Sequence, residues 1–207
     1  MKDINSENGK ILLEYYDGII SNEIIEEIEF DLKEISIGFY KHDKSKIIFN
    51  SLEDYTNKII LFLSSDIIQA YALGLITNVT YDILKKLILK IINDIKGKNI
   101  TLRSSSKIEE KEVTFGLKIK ISEDNLLDLR LSGEFSEEIQ SKIIDQAFEV
   151  MKNINQNISS EIRSDYFAHY DIRKERWNLC NIQKELYKKY RAKTEKIEKA
   201  NISKSVD

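Results

Sequence analysis

The chain of 207 residues has very few of the side chains that build disulfide frameworks and metal sites. Its single cysteine, Cys180, excludes an intramolecular disulfide and the common cysteine-rich zinc sites. The two histidines, His42 and His169, stand far apart in the sequence, which argues against a histidine-based metal site. Proline is absent while isoleucine, lysine and asparagine are frequent, and this bias is typical of an AT-rich genome.

Long apolar runs are lacking as well. The first residues contain no apolar stretch of the kind found in a signal peptide. The most apolar window, residues 59–77, is interrupted by Asp66 and Gln69, so it is a poor candidate for a membrane span. We therefore expect a cytoplasmic protein that does not enter a membrane.

Neither sign of charge dominates the chain, whose formal net charge is −3. Residues 163–207 hold twelve lysines and arginines against seven acids, so the rest of the chain carries −8. This mildly basic segment either contacts an acidic partner or forms a solvated helical surface. The net charge argues against general nucleic-acid binding, although basic and aromatic side chains are interleaved over residues 187–193.

The apolar periodicity predicts an α+β fold: a regulatory domain over residues 1–157 and a long charged helical tail over residues 158–207. The domain should contain a mixed or mostly antiparallel sheet of about five strands packed by helices. The expected strands cover residues 11–16, 67–73 (where a helix is the alternative), 99–103, 112–121 and 127–131. The last two alternate between apolar and polar residues and should pair as an antiparallel hairpin. The expected helices begin after Ser21, at residue 46, after Thr80 and after Ser136, and end near residues 38, 63, 97 and 153.

Two segments, residues 12–24 and 127–139, share one local plan. Each reads as a strand followed by a glycine, a serine three residues later and then a helix. Gly18 and Gly133 free the backbone to turn, while Ser21 and Ser136 can cap the helix that follows. The likeness reflects either an internal duplication or independent use of the same turn.

One polar pair in the predicted helix over residues 46–63 suggests a ligand site. Glu53 and Asn57 are four residues apart, so they share one face of a helix. An asparagine oxygen beside a glutamate can serve a hydrated magnesium ion near a phosphate group. The alternative is a polar pair that faces solvent.

Three segments carry a resemblance to a known family. They read YYDGIISNEIIEEIEFDLKEI, KIIFNSLEDYTNKI and YALGLITNVTYDILKKL, and they lie within residues 10–95. In this order they resemble the SiaB family of bacterial regulatory proteins, which are related to histidine-kinase-type ATPases and anti-sigma-factor kinases. The resemblance implies a Bergerat-type ATP-binding sandwich that phosphorylates or binds a small STAS-like antagonist protein.

The resemblance also implies roles for individual residues. Glu53 would be the catalytic residue, and Asn57 would contact both the nucleotide and Mg²⁺. Gly74 would lie in the nucleotide-binding segment, so ATP and magnesium are the expected cofactors.

Two functional alternatives remain open at this stage. In the first, the chain is an ATP-dependent serine/threonine kinase or a related regulatory protein that contacts its partner without catalysis. The non-catalytic form is considered because residues 98–115 contain no glycine, and glycine lets a loop wrap phosphates closely. The second alternative is a non-enzymatic scaffold, in which the helical tail mediates homo-oligomerisation or partner binding.

Overall fold

The computed structural model describes residues 9–45, 57–103, 108–122, 125–131, 135–157, 166–181 and 191. Within them lie nine strands and four helices. The strands are β1 (Lys10–Tyr15), β2 (Gly38–Asp43), β3 (Lys58–Leu63), β4 (Asn99–Arg103), β5 (Ile108–Glu112), β6 (Thr114–Ser122), β7 (Asn125–Leu131), β8 (Tyr166–Asp171) and β9 (Arg176–Asn181). The helices are α1 (Asn22–Glu34), α2 (Ser65–Ala72), α3 (Asn78–Ile95) and α4 (Glu137–Asn157).

Seven of these strands form one mixed sheet in the order β2-β1-β3-β6-β7-β8-β9, and β4 and β5 form a separate two-stranded sheet. The expected antiparallel pairing of β6 with β7 is confirmed, with Leu117 opposite Leu129. The expectation of a five-stranded sheet is wrong. The strands β2, β3, β8 and β9 also belong to the main sheet, whereas residues 67–72 are helical and residues 99–103 form β4 of the small sheet. The predicted helical tail is therefore wrong over residues 166–171 and 176–181, which belong to the main sheet.

Alternating side chains give this sheet one apolar face. In β6, Phe115, Leu117 and Ile119 are buried while Lys120 is exposed, as the period-two pattern of the sequence predicts. The apolar face and the buried faces of all four helices form one core. The helices make one layer, because α3 packs against α1 and α4, and α4 packs against α2. The fold is thus a two-layer α/β arrangement.

Two strand–helix–strand units flank the centre of the sheet. In each, the strand after the helix pairs in parallel with the strand before it: β2 with β1, and β8 with β7. Strands β1 and β7 run in the same direction, but β2 and β8 lie on opposite sides of them. Because α1 and α4 share one layer, the two crossovers have opposite hands, and one departs from the usual right-handed rule. A duplicated unit would keep its hand, so the sequence likeness between residues 12–24 and 127–139 favours independent origins.

The capping serines of these two units are confirmed, whereas several other boundaries differ from the sequence prediction. The side chains of Ser21 and Ser136 accept hydrogen bonds from the amides of Ile24 and Ile139. Helix α3 is capped by Thr77 rather than Thr80. Helix α1 ends at residue 34, and β2 begins at residue 38, near which the end of the helix was expected.

In residues 58–72 the predicted order of helix and strand is reversed. Residues 58–63 form β3 instead of a helix, and residues 65–72 form α2 instead of a strand. Five of the six residues of β3 are buried, because it lies between β1 and β6. A strand buried in this way loses the alternation that identifies a half-exposed strand. Among the described helices, none is long and apolar enough to cross a membrane.

Candidate functional site

Asn57, the predicted nucleotide and Mg²⁺ contact, lies in a turn immediately before β3. Its side-chain nitrogen donates a hydrogen bond to the backbone oxygen of Glu112 at 2.6 Å. Its own backbone oxygen accepts from the amide of Thr114 at 3.0 Å. These bonds tie the start of β3 to the junction between β5 and β6. Glu53, the predicted catalytic residue, lies outside the described residues, so the pairing of the two side chains stays a prediction.

Gly74, the predicted nucleotide-binding glycine, ends helix α2. Its φ of +68° is in the left-handed region, and a Cβ there would have nothing within 4 Å. The amide of Gly74 donates to the oxygen of Tyr71 and that of Leu75 to the oxygen of Ala70. This pair of bonds is a Schellman motif, in which glycine is favoured after a helix end. Helix termination therefore accounts for this glycine without a ligand.

The residues that Asn57 contacts line a cavity of about 50 Å³, which we call the β6 cavity. It lies between the apolar face of the sheet and the helices α3 and α4. Its lining consists of Ile92, Ile95, Lys96, Glu112, Val113, Thr114, Phe115, Leu131, Phe135 and Gln140. Ligand pockets for drug-sized molecules usually measure about 300–1,000 Å³. The described residues alone thus enclose room for a few small groups and not for a whole nucleotide.

Two side-chain oxygens of residues named in this lining are buried without a hydrogen-bond partner in the described part of the chain. They are the hydroxyl oxygen of Thr114 and the amide oxygen of Gln140. The side-chain nitrogen of Gln140 donates to the backbone oxygen of Phe135 at 3.1 Å, which fixes the orientation of the amide. A buried acceptor without a partner is unfavourable. The alternation of β6 puts the side chain of Thr114 on the same face as Lys118, so the two oxygens do not face one cavity.

The opposite face of the sheet, which we call the outer face, is not covered by any of the described helices. One row of directly paired residues crosses it: Leu12, Phe62, Lys118, Asp128 and Phe167. The ammonium of Lys118 lies 5.5 Å from the centre of the Phe62 ring. The guanidinium of Arg130 lies 5.4 Å from the centre of the Phe167 ring. These cation–π contacts hold two positive charges close to the sheet.

A carboxylate lies buried at the middle of the outer face. Asp128 is 4% exposed, and its Oδ2 accepts a hydrogen bond from Nε of Arg130 at 2.9 Å. Lys120 is exposed on the same face, two residues beyond Lys118 along β6. With Asp128 paired to Arg130, the two lysines of β6 give this face a positive character.

A buried lysine lies beside the sheet near the end of β2. Lys44 is 5% exposed, and its ammonium donates to the backbone oxygen of Lys58 at 2.6 Å. The same ammonium lies 4.0 Å from a carboxylate oxygen of Glu14 and 4.8 Å from the ring centre of Tyr16. Burial lowers the pKa of Lys44 from 10.5 to about 8, although the charge of Glu14 acts in the opposite direction. Lys44 is thus a buried lysine whose pKa lies well below its usual value.

These features were only partly visible in the sequence. Alternation along residues 112–121 places Lys118 and Lys120 on the less apolar side of a strand. The rings of Phe62 and Phe167 join that side only because β3 and β8 lie where they do in the sheet. Gln140 gave no local signal, since one polar residue in an amphipathic helix usually faces water.

Among the described residues, no group of three or more histidine, cysteine, aspartate or glutamate side chains is placed to hold a metal ion. The predicted Mg²⁺ contact at Asn57 therefore stays a prediction. No protein-family model, curated protein or solved structure matches this chain. The fold and these local geometries are accordingly the basis for the functional proposals.

Proposed function

We propose that the chain is a cytoplasmic regulatory protein that acts by contact with another protein through the outer face of its sheet. The observation that carries the proposal is the pair of cations, Lys118 and Arg130, held above the rings of Phe62 and Phe167. The partner that fits this face presents carboxylates. The resemblance to the SiaB family suggests that it is a STAS-like protein.

The chemistry of the outer face favours an acidic protein over single-stranded nucleic acid. Nucleic-acid bases bind such sheets by stacking on exposed aromatic rings. Here a cation lies over each of the rings of Phe62 and Phe167, so a base would have to displace it. A carboxylate can instead bind Lys118 or Lys120 where it stands, as a charge-assisted hydrogen bond.

Partner binding without catalysis is the form of this proposal that the geometry supports best. The glycine that the resemblance assigns to the nucleotide, Gly74, has a role in helix termination. Asn57 uses its side-chain nitrogen to hold the backbone of Glu112. Kinase activity with Mg-ATP is the second form of the proposal.

The partner contact is tested with a purified STAS-domain protein from the same organism, by isothermal titration calorimetry. The double variant Lys118→Gln, Lys120→Gln removes two charges from the outer face and leaves Asp128 paired. We expect it to bind at least about tenfold more weakly, because two charge-assisted contacts are lost.

The matched control is Lys33→Gln, Lys86→Gln, which removes the same charge from the exposed surface of the helical layer. It should bind as the unchanged protein does. Equal affinities for the two double variants would refute a contact through the outer face. In parallel, a titration with Mg-ATP addresses the kinase form: no heat at millimolar nucleotide would exclude it, and binding that Asn57→Ala leaves unchanged would exclude the assigned site.

A further inference from the structure

The small sheet of β4 and β5, which we call the β4–β5 ribbon, has one acidic face. Glu110 and Glu112 are exposed on it, and the residues of β4 directly opposite them are neutral. Ile108 continues the same row of β5 and is 67% exposed. Arg103, the described basic residue of this face, is paired with Ile108 and not with an acid. The ribbon thus presents two neighbouring carboxylates beside an exposed apolar side chain.

The outer face carries a pair of cations with the same spacing. Lys118 and Lys120 are two residues apart on β6, as Glu110 and Glu112 are on β5, so each pair spans about 7 Å along its strand. Sheets that pack face to face lie about 10 Å apart, a gap that lysine and glutamate side chains can bridge. Phe62 lies partly exposed beside Lys118. Both surfaces therefore have an apolar side chain next to two charges, and the charges have opposite signs.

The fold separates the ribbon of a chain from the lysines of the same chain. The ribbon joins β6 through Val113 alone, and the amide of Val113 donates to the backbone oxygen of Lys98 at 2.8 Å. This bond holds the ribbon at the beginning of β6. Lys118 and Lys120 lie about 13 and 20 Å beyond the first residue of that strand. The ribbon that can reach them is therefore the one of another molecule.

From this match we propose that the outer face of one copy binds the β4–β5 ribbon of a second copy. The inference rests on the proposed role of the outer face as a surface for carboxylates, and it names a second occupant that competes with the partner. Each copy uses its ribbon toward one neighbour and its outer face toward another, so the copies associate head to tail into rings or open chains. Because salt screens exposed charges, the association weakens as the ionic strength rises.

Sedimentation equilibrium of the full chain at low salt, over micromolar to millimolar concentrations, measures this self-association. We expect the ribbon variant Glu110→Lys, Glu112→Lys to associate at least about tenfold more weakly, because like charges then face each other. The face variant Lys118→Glu, Lys120→Glu should show the same loss. An equimolar mixture of the two variants should associate again, since the reversed ribbon fits the reversed face.

The matched control is Glu26→Lys, Glu34→Lys, which reverses two exposed charges of α1 and should leave the association unchanged. If the ribbon variant does not fold, Glu110→Gln, Glu112→Gln must show the weaker association. A mixture of the two variants that does not associate would overturn the inference. Titration with the STAS-domain protein is read separately. A chain that stays monomeric yet binds this protein refutes the inference alone, and one that self-associates without binding it refutes the proposed partner contact alone.

Discussion

The buried ammonium of Lys44 makes the stability of this protein depend on pH in a direction opposite to that expected for a paired surface lysine. Its pKa is about 8 in the folded protein, lowered from 10.5 by burial. Between these values the unfolded chain binds more protons than the folded one, so the free energy of unfolding rises with pH. Working from the two pKa values, we expect Lys44 to contribute a rise of about 2 kcal/mol between pH 7.5 and 9.5.

The perturbation is Lys44→Met, which keeps most of the side-chain volume and removes the titrating group. Guanidinium chloride unfolding, followed by circular dichroism at several pH values from about 7.5 to 9.5, gives the free energy of unfolding of each protein. The range stays below pH 10 because burial raises the pKa of Tyr16 and Tyr71 to about 12. Because of these raised pKa values, the free energy of unfolding falls as the pH rises, but only above about pH 10.

The decisive quantity is the difference in slope between the two proteins. The Lys44→Met curve should lack the rise of about 2 kcal/mol, whatever its absolute stability, which also reflects the lost hydrogen bond to Lys58. Lys86→Met is the control, since its side chain is exposed on α3, and it should keep the slope of the unchanged protein. Parallel curves for the unchanged protein and Lys44→Met would refute the argument from burial.

Three further predictions concern local structure. Thr77→Ala should lower the free energy of unfolding by about 1 kcal/mol because its hydroxyl caps α3, and Thr80→Ala should cost less; equal losses in chemical denaturation would contradict the assigned cap. Gly74→Ala should cost about 1–2 kcal/mol from its left-handed backbone, and should leave any Mg-ATP affinity unchanged if helix termination is its only role. Tyr81 donates a hydrogen bond to Asp145 at 2.5 Å. Burial raises the pKa of Tyr81 most, and this hydrogen bond raises it further. Ultraviolet titration of Tyr81→Phe should therefore show one fewer tyrosine that ionises at high pH.

How much of the fold the sequence predicts depends on whether the signal is local. Ser21 and Ser136 were identified as helix caps from the residues alone, because a cap acts over three or four residues. The hairpin of β6 and β7 was equally accessible, since each strand has one buried and one partly exposed face. Elements that depend on distant neighbours were misassigned. The apolar run of β3 fits a helix equally well until the strands on both its sides are known.

The last two strands, β8 and β9, show the same limit in a more polar part of the sequence. Tyr166 and Tyr170 are four residues apart, a spacing that places side chains on one face of a helix and also on one face of a strand. The sequence was consistent with both, and only pairing with β7 selects the strand. The surroundings of Asn57 show this limit too, because its side-chain hydrogen bond reaches a residue 55 positions away.

The sequence by itself therefore determined the α+β class, the capped helices α1 and α4 and the alternating hairpin at the centre of the sheet. Only the tertiary structure decided the sheet order, and with it which side chains meet on each face of the sheet. Lys118 lies over Phe62, and Thr114 shares a cavity lining with Gln140, because strands and helices distant in sequence are adjacent in space. Contacts of this kind depend on which elements pack together, and no local pattern of residues encodes that choice.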